Sequence, residues 1–369
     1  MLKFFSKLFV LLVPFVLLVP SKALAQALST ESYYKAEVTQ IVEEGQVDNG
    51  GIKNDYQLVK LKFLDGPQLG REISLEHGGR FTLTERQKVK KGEKIVLLEL
   101  SQEGIKPEYQ IIDKYRLDNI AAIAVGFIVL VLSIAHFKGI GSLLGLALSL
   151  GIIVKFIVPQ ILAGRDPLLI SVAGSLMIMA STLYLAHGFS KKTTVALVST
   201  FLALGLTAGL AILFVNLAHL SGLGNESAYS LRFGGTDINF KGLLLGGIII
   251  GTLGVLDDTT TTQSATIFEL KKANAKLKFL ELFERGLSIG REHIASLVNT
   301  LVLAYAGVSL PIFLAFVLNP GNTPLWAILN SEFISEEIIR ALAGSVGLIL
   351  AVPITTLIAS YFASKQKLK

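Results

Sequence analysis

Gly251 to Leu270 reads GTLGVLDDTTTTQSATIFEL. An apolar run from Gly242 to Leu256 leads into two adjacent carboxylates, Asp257 and Asp258. Four threonines, Thr259 to Thr262, then Gln263 and Ser264 follow before apolar character returns. A helix starting at Gly242 puts Asp257 about 22 Å along its axis at 1.5 Å per residue. That depth lies inside a hydrocarbon core about 30 Å thick. A carboxylate held there is costly and points to function.

Rotation by about 100° per residue gathers Gly247, Gly251, Gly254, Asp258, Thr261, Thr262, Ala265 and Glu269 on one side. Leu245, Ile248, Ile249, Val255 and Leu256 fall mostly elsewhere, on a surface suited to lipid. Gly247 and Gly251 form a GxxxG pair, which lets a second backbone approach closely. The stripe predicts a helix–helix seam packed through Gly247, Gly251 and Gly254, with an ion or polar-solute site centred on Asp258. Asp257, Thr261, Thr262 and Ser264 are its neighbours. A purely structural seam, with Asp258 protonated or paired to a cation, is the competing reading.

Outward from this stretch the chain has two unequal parts. Gln26 to Asp118 holds 14 Lys/Arg and 16 Asp/Glu in 93 residues, the charge density of a soluble domain. Asn119 to Lys369 holds 17 and 12 in 251 residues and contains several apolar runs near the ~20 residues a spanning helix needs. The expected architecture is an α-helical polytopic membrane protein of about seven spans with an exported, N-terminal, small β-barrel or OB-like domain. Its parts are a signal peptide (1–27), an extracytoplasmic β-rich domain (28–117) and a transmembrane domain (118–369).

Lys3 and Lys7, the apolar Leu8 to Pro20 and small residues near Ala25 and Ala27 have the order of a secretory signal. The head shows strand candidates at Tyr34–Val42, Tyr56–Phe63, Arg71–Leu75 and Lys88–Leu100. They are divided by Asp48-Asn49-Gly50-Gly51, Asp65-Gly66-Pro67 and His77-Gly78-Gly79. No catalytic constellation stands out there, and His77 reads as a loop residue. The expected spans are Asn119–Phe137, Ile140–Leu162, Pro167–His187, Thr193–Ala218, Gly242–Leu270, His293–Leu318 and Glu337–Phe362. With the head outside, the inner loops and tail hold 12 cations, from Lys138, Lys191 and Lys192 through Lys271–Arg291 to Lys365–Lys369. The outer loops hold three, Arg165, Arg232 and Lys241. The positive-inside bias therefore agrees with an exported head, a cytoplasmic C-terminus and a bacterial plasma (inner) membrane location. It also explains the net charge of +6 without nucleic acid.

The sixth span carries its own polar stripe, His293, Ser296, Thr300, Ala304, Gly307 and Pro311, with Asn299 about 60° aside. Lys276–Arg285 before it suits a short helix on the inner face. Pro353 interrupts the backbone ladder of the seventh span, a common element of ion sites when it breaks a helix. His136, His187 and His293 fall at inner ends of spans, where imidazole and carboxylate together suit a divalent metal or a proton relay. The chain has no Cys, which excludes disulfides and thiolate sites. It has no GxxxxGK[ST] for ATP and no HExxH for a zinc peptidase. Adjacent acids on one helix diverge and make a poor proteolytic dyad.

HGFSKKTT (187–194), GTLGVLDDTTTTQSATIFEL (251–270) and SIGREHIASLVNTLVLAYAGVSLPIF (288–313) resemble the YibE/F-like family of bacterial multi-pass membrane proteins. The resemblance implies the seven-span layout and matches Asp258 to the family's intramembrane acid. It implies no activity. The expected function is that of a permease moving an ion or small polar solute without ATP hydrolysis. In this reading the chain is no enzyme and has no cofactor, and its partners are the bilayer, the solute and a second copy or another membrane protein. The alternative is a membrane scaffold or sensor that recruits a partner through its exported domain.

Overall fold

The computed structural model describes residues 31–49, 52–79, 83–101, 107–233, 235, 237–318, 321 and 323–366. The signal-peptide expectation lies outside them. The chain divides into two compact units, one ending at Ser133 and the other beginning at Ile134.

The first unit is built on β1 (Glu31–Asn49), β2 (Ile52–Phe63), β3 (Glu72–Gly78), β4 (Lys94–Leu100) and β5 (Glu108–Lys114). All neighbours pair antiparallel, in the order β3-β2-β1-β4-β5. The alternation seen in the sequence sets the register: Val59, Leu61 and Phe63 point inward and are fully buried, opposite Ala36 and Val38. Ile95, Leu97 and Ile111 complete the core. The Phe63 ring is the centre of an edge-to-face trio with Tyr34 at 5.7 Å and Tyr109 at 5.5 Å. The candidate strand Lys88–Leu100 turns at Lys91 and Gly92 before β4, with Gly92 at φ +84°, a conformation glycine adopts without penalty. His77 is not a loop residue. It lies in β3, buried, with Nε2 3.2 Å from the Gln87 carbonyl. β5 is a strand that the sequence pattern had not marked.

From Leu117 onward the chain is helical, with the stretch to Ser133 belonging to the first unit. The helical run Leu117–Leu162 consists of α1 (Leu117–Ile152), a π-helical turn (Ile153–Ile157) and α2 (Val158–Leu162). Inside α1 the backbone leaves helical geometry at His136 (φ 51°, ψ −133°). The rest is α3 (Pro167–His187), α4 (Lys191–Leu217), α5 (Glu226–Phe233), α6 (Phe240–Ala273), α7 (Phe279–Val308), α8 (Leu310–Leu318), α9 (Leu325–Leu329) and α10 (Glu332–Ser364). Among the described residues, five helical segments are long and apolar enough to cross a membrane: Leu117–Leu162, α3, α4, α6 and α10. The expected sixth span is interrupted at Ser309. The Lys276–Arg285 stretch is no separate surface helix, because α7 runs unbroken from Phe279 through His293. Pro353 lies inside α10 without ending it.

α10 packs on α4, α6 and α7, while α6 packs on α3, α4 and α10. These seams are made by small residues. Gly246 faces Ser171 of α3, Gly347 faces Thr207 of α4, and Gly344 faces Thr252 of α6. A hydroxyl interior results, with Thr200 Oγ1 and Thr260 Oγ1 2.5 Å apart and Gln263 Nε2 donating to Thr356 Oγ1 at 2.7 Å and to the Gly286 carbonyl at 2.8 Å. Such pairs satisfy polar groups that hydrocarbon cannot. At the other end, Glu332 Oε1 accepts from the Ser221 and Gly222 amides and Glu336 Oε1 from the Gly224 amide. The first turns of α10 therefore hold the loop that leaves α4.

Candidate functional site

The apolar pattern of α6 decides which way its carboxylates point. Ile248, Ile249 and Leu256 are fully buried and Leu245 nearly so, so the surface expected to face lipid is the packed one. The predicted glycine seam is correspondingly misplaced. A Cβ on Gly254 would meet nothing within 4 Å among the described residues. One on Gly247 would meet only Arg340 Nη1 of α10, at 3.2 Å, and one on Gly251 only Tyr305 Oη of α7, at 3.0 Å. The GxxxG pair that packs is Gly242 and Gly246, against Pro167 and Ser171 of α3. The stripe is displaced because a mixed small and polar face and an apolar face rank alike by periodicity. Burial of apolar surface against α3, α4 and α10 wins.

The rotation reverses the roles of the two acids. Asp258 is exposed on the protein surface. Asp257 is the carboxylate turned into a helix interface: Thr182 Oγ1 of α3 donates to its Oδ2 at 3.3 Å. Its Oδ1 is buried with no hydrogen-bond partner among the described residues. Gly145 of α1 packs beside Thr182.

One turn further along α6, Thr261 and Thr262 line a cavity of about 680 Å³. Thr193, Thr266, Lys138, His187, Lys192 and Glu269 also line it. Local chemistry sets its walls. Gly188, at φ +70°, ends α3 directly after His187, and Ser190 Oγ caps α4 by accepting from the Thr193 amide at 3.2 Å. Tyr184 and Phe189 stack at 4.4 Å and brace this turn. Ser264 Oγ donates to the Lys192 carbonyl at 2.8 Å, which ties α6 to the start of α4. Ser264 is thus an anchor of the wall. Thr261 Oγ1 is buried and without a hydrogen-bond partner among the described residues.

His293 is half-buried and Asn299 exposed, both on α7, and neither lines this cavity. The polar stripe expected along the sixth span, from Ser296 in α7 to Pro311 in α8, is likewise exposed. Among the described residues no three His, Asp or Glu side chains gather as metal ligands, so His136, His187 and His293 do not form a shared site. Lys155 is exposed within the π-helical turn, as a snorkelling lysine would be.

Sequence reasoning missed four contributors. Thr182 is an unremarkable residue of α3 until the packing sets it beside Asp257. Lys138 and Lys192 were read only as loop charges. Arg340 lies eight residues into α10 and 3.4 Å from Glu337. A search for charges inside the last apolar run would have found it.

No curated protein and no solved structure matches the chain. The sequence model described as YibE/F-like protein matches residues 123–365. This span covers α3 to α10, the Asp257–Thr182 pair and every residue of the cavity, and the chain therefore belongs to the YibE/F-like family of proteins.

Proposed function

We propose that the protein is a permease-type membrane protein that moves an ion or small polar solute without ATP hydrolysis, and that it is not an enzyme. In this reading it lies in the bacterial plasma membrane with seven spans. Leu117–Leu162 is crossed twice, with the reversal at His136, and α7 with α8 supplies the sixth span. A cleaved signal peptide delivers an OB-like head to the outside, and the C-terminus is cytoplasmic.

The observation that carries the reading is the Asp257 carboxylate. It lies within a membrane-length helix, one oxygen is held by Thr182 and the other has no partner among the described residues, and the hydroxyl-lined cavity begins one turn away. Intramembrane acids beside polar recesses recur on ion and proton routes. Asp258, Thr261 and Thr262 extend this polar track along α6, and Tyr305 and Arg340 border the same helix further back, beside Gly251 and Gly247.

The test is complementation of a deletion strain by wild type, Asp257→Asn and Asp258→Asn at matched membrane levels. Loss of function in a folded Asp257→Asn protein supports an ionising site. Full complementation by both variants would sink it.

One observation favours the scaffold or sensor reading. The edge strands β3 and β5 flank a groove of about 650 Å³ bordered by Ser74, Glu76, Glu108 and Gln110. Edge strands are natural docking rails for an extended peptide. Under that reading the carboxylate variants complement, and deletion of the head does not.

A further inference from the structure

We propose that the cavity formed by α1, α3, α4 and α6 binds a phosphate-class oxyanion. Lys138, His187 and Lys192 come from three separate segments and converge on one volume of about 680 Å³. Neither lysine has an acidic partner within 4 Å among the described residues. The opposite wall is Thr261, Thr262 and Thr266 of α6. Ammonium groups and a free hydroxyl donate toward an oxyanion, although Thr266 Oγ1 already donates to the Thr262 carbonyl at 2.9 Å. Charge-assisted hydrogen bonds to phosphate are roughly twice as strong as neutral ones. The volume lies within the range of about 300–1,000 Å³ usual for small-molecule sites.

A positive-inside bias explains why lysines occur at this end of the helices. It does not explain why two of them border the same recess as three threonines. The only acid among the lining residues is Glu269, which is exposed and 3.8 Å from Lys272 Nζ. Asp258 lies one turn beyond Thr262 on α6, near enough to His187 for its charge to be felt there. The donors therefore hold the balance of charge at the cavity itself.

Two sources present this chemistry, a free phosphate-bearing solute and the headgroup of an anionic phospholipid. Transport of the bound ligand would rest on the permease reading. Binding does not, so failure of binding and failure of transport are separate results.

The experiment uses the purified full chain. In phosphatidylcholine nanodiscs, calorimetry with inorganic phosphate at constant ionic strength reads the free-solute arm. In nanodiscs doped with an anionic phospholipid, mass spectrometry of retained lipid reads the headgroup arm. Each is repeated on Lys138→Gln, Lys192→Gln and the double variant, with thermal midpoints to establish folding. The double variant should weaken whichever arm binds by about tenfold or more. If the double variant does not fold, each single variant should show part of the loss. Phosphate binding lost in these variants identifies a soluble ligand, and lipid retention lost identifies a headgroup. No binding in either arm, or binding indifferent to both lysines, overturns the proposal. Intact binding with no flux would overturn the permease reading alone.

Discussion

Thr182 Oγ1 and Asp257 Oδ2 meet at 3.3 Å between α3 and α6, and this contact fixes which of two neighbouring carboxylates belongs to the protein interior. Asp257→Asn preserves it, because an amide oxygen still accepts from the threonine. Folding and membrane level should therefore be unchanged while any function that needs ionisation is lost. Thr182→Val removes the donor and leaves the carboxylate buried alone, at a cost of about 1–3 kcal/mol. Thermal midpoints in detergent check the second expectation and complementation checks the first. Asp258→Asn should be the milder change, because Asp258 is exposed.

The glycines of α6 give a direct test of helix orientation. Gly246→Ala drives a methyl into Ser171 and the Pro167 carbonyl and should destabilise by about 1–3 kcal/mol. Gly254→Ala meets nothing and should be neutral or stabilising by up to about 1 kcal/mol, since alanine is the better helix former. Detergent thermal midpoints of both variants decide the matter. The opposite ranking would restore the seam through Gly247, Gly251 and Gly254.

The legible and illegible parts of the chain follow from what each pattern encodes. Val59, Leu61 and Phe63 alternate with polar neighbours, and a period of two can satisfy only one sheet face, so β2 was readable. β5 was not: Glu108 to Lys114 is short, mostly polar at its ends, and directly precedes the apolar run of α1. Membrane helices declare their length and composition, but each is apolar on most sides, so periodicity cannot orient it. The two aspartates of α6 were visible at once, and their roles were exchanged because rotation about that helix depends on Ser171, Thr182 and Thr200 on other helices. Lys138 and Lys192 lie 54 residues apart in sequence and meet only through tertiary packing.

His77 predicts an acid-sensitive head. Burial pushes its pKa below the usual 6.5, and the nearby Lys114 charge adds to that shift. Below 6.5 the unfolded chain binds a proton that the folded β3 resists, so stability is lost as pH falls through the unfolded value toward the lower folded one. Above 6.5 both states are neutral and the dependence vanishes. Protection factors over residues 72–78, taken relative to the intrinsic exchange rate at each pH, should fall between neutral and mildly acidic pH. In His77→Gln that pH dependence should flatten, and an unaltered dependence would remove His77 as its cause.

The last prediction separates seven crossings from five. The five membrane-length segments, each crossed once, and the seven-span arrangement both start outside and end with the C-terminus inside, so a C-terminal reporter cannot tell them apart. Loops in between can. With seven crossings Gly224 is outside and Gly188 and Ala275 are inside. With five, all three positions change sides, and the cation-rich Lys271–Arg291 segment would be outside. The positive-inside bias favours seven. So does the backbone at His136, where helical geometry fails between two stretches that are each near the ~20 residues a span requires. The absence of cysteine makes the readout clean. Single variants Gly188→Cys, Gly224→Cys and Ala275→Cys are exposed to an impermeant thiol reagent in intact cells, then again after permeabilisation. Gly224→Cys should label in intact cells, and the other two only once the membrane is opened. Labelling of Ala275→Cys from outside, with Gly224→Cys protected, would establish five crossings and place the Lys138–Lys192 cavity on the other side of the membrane.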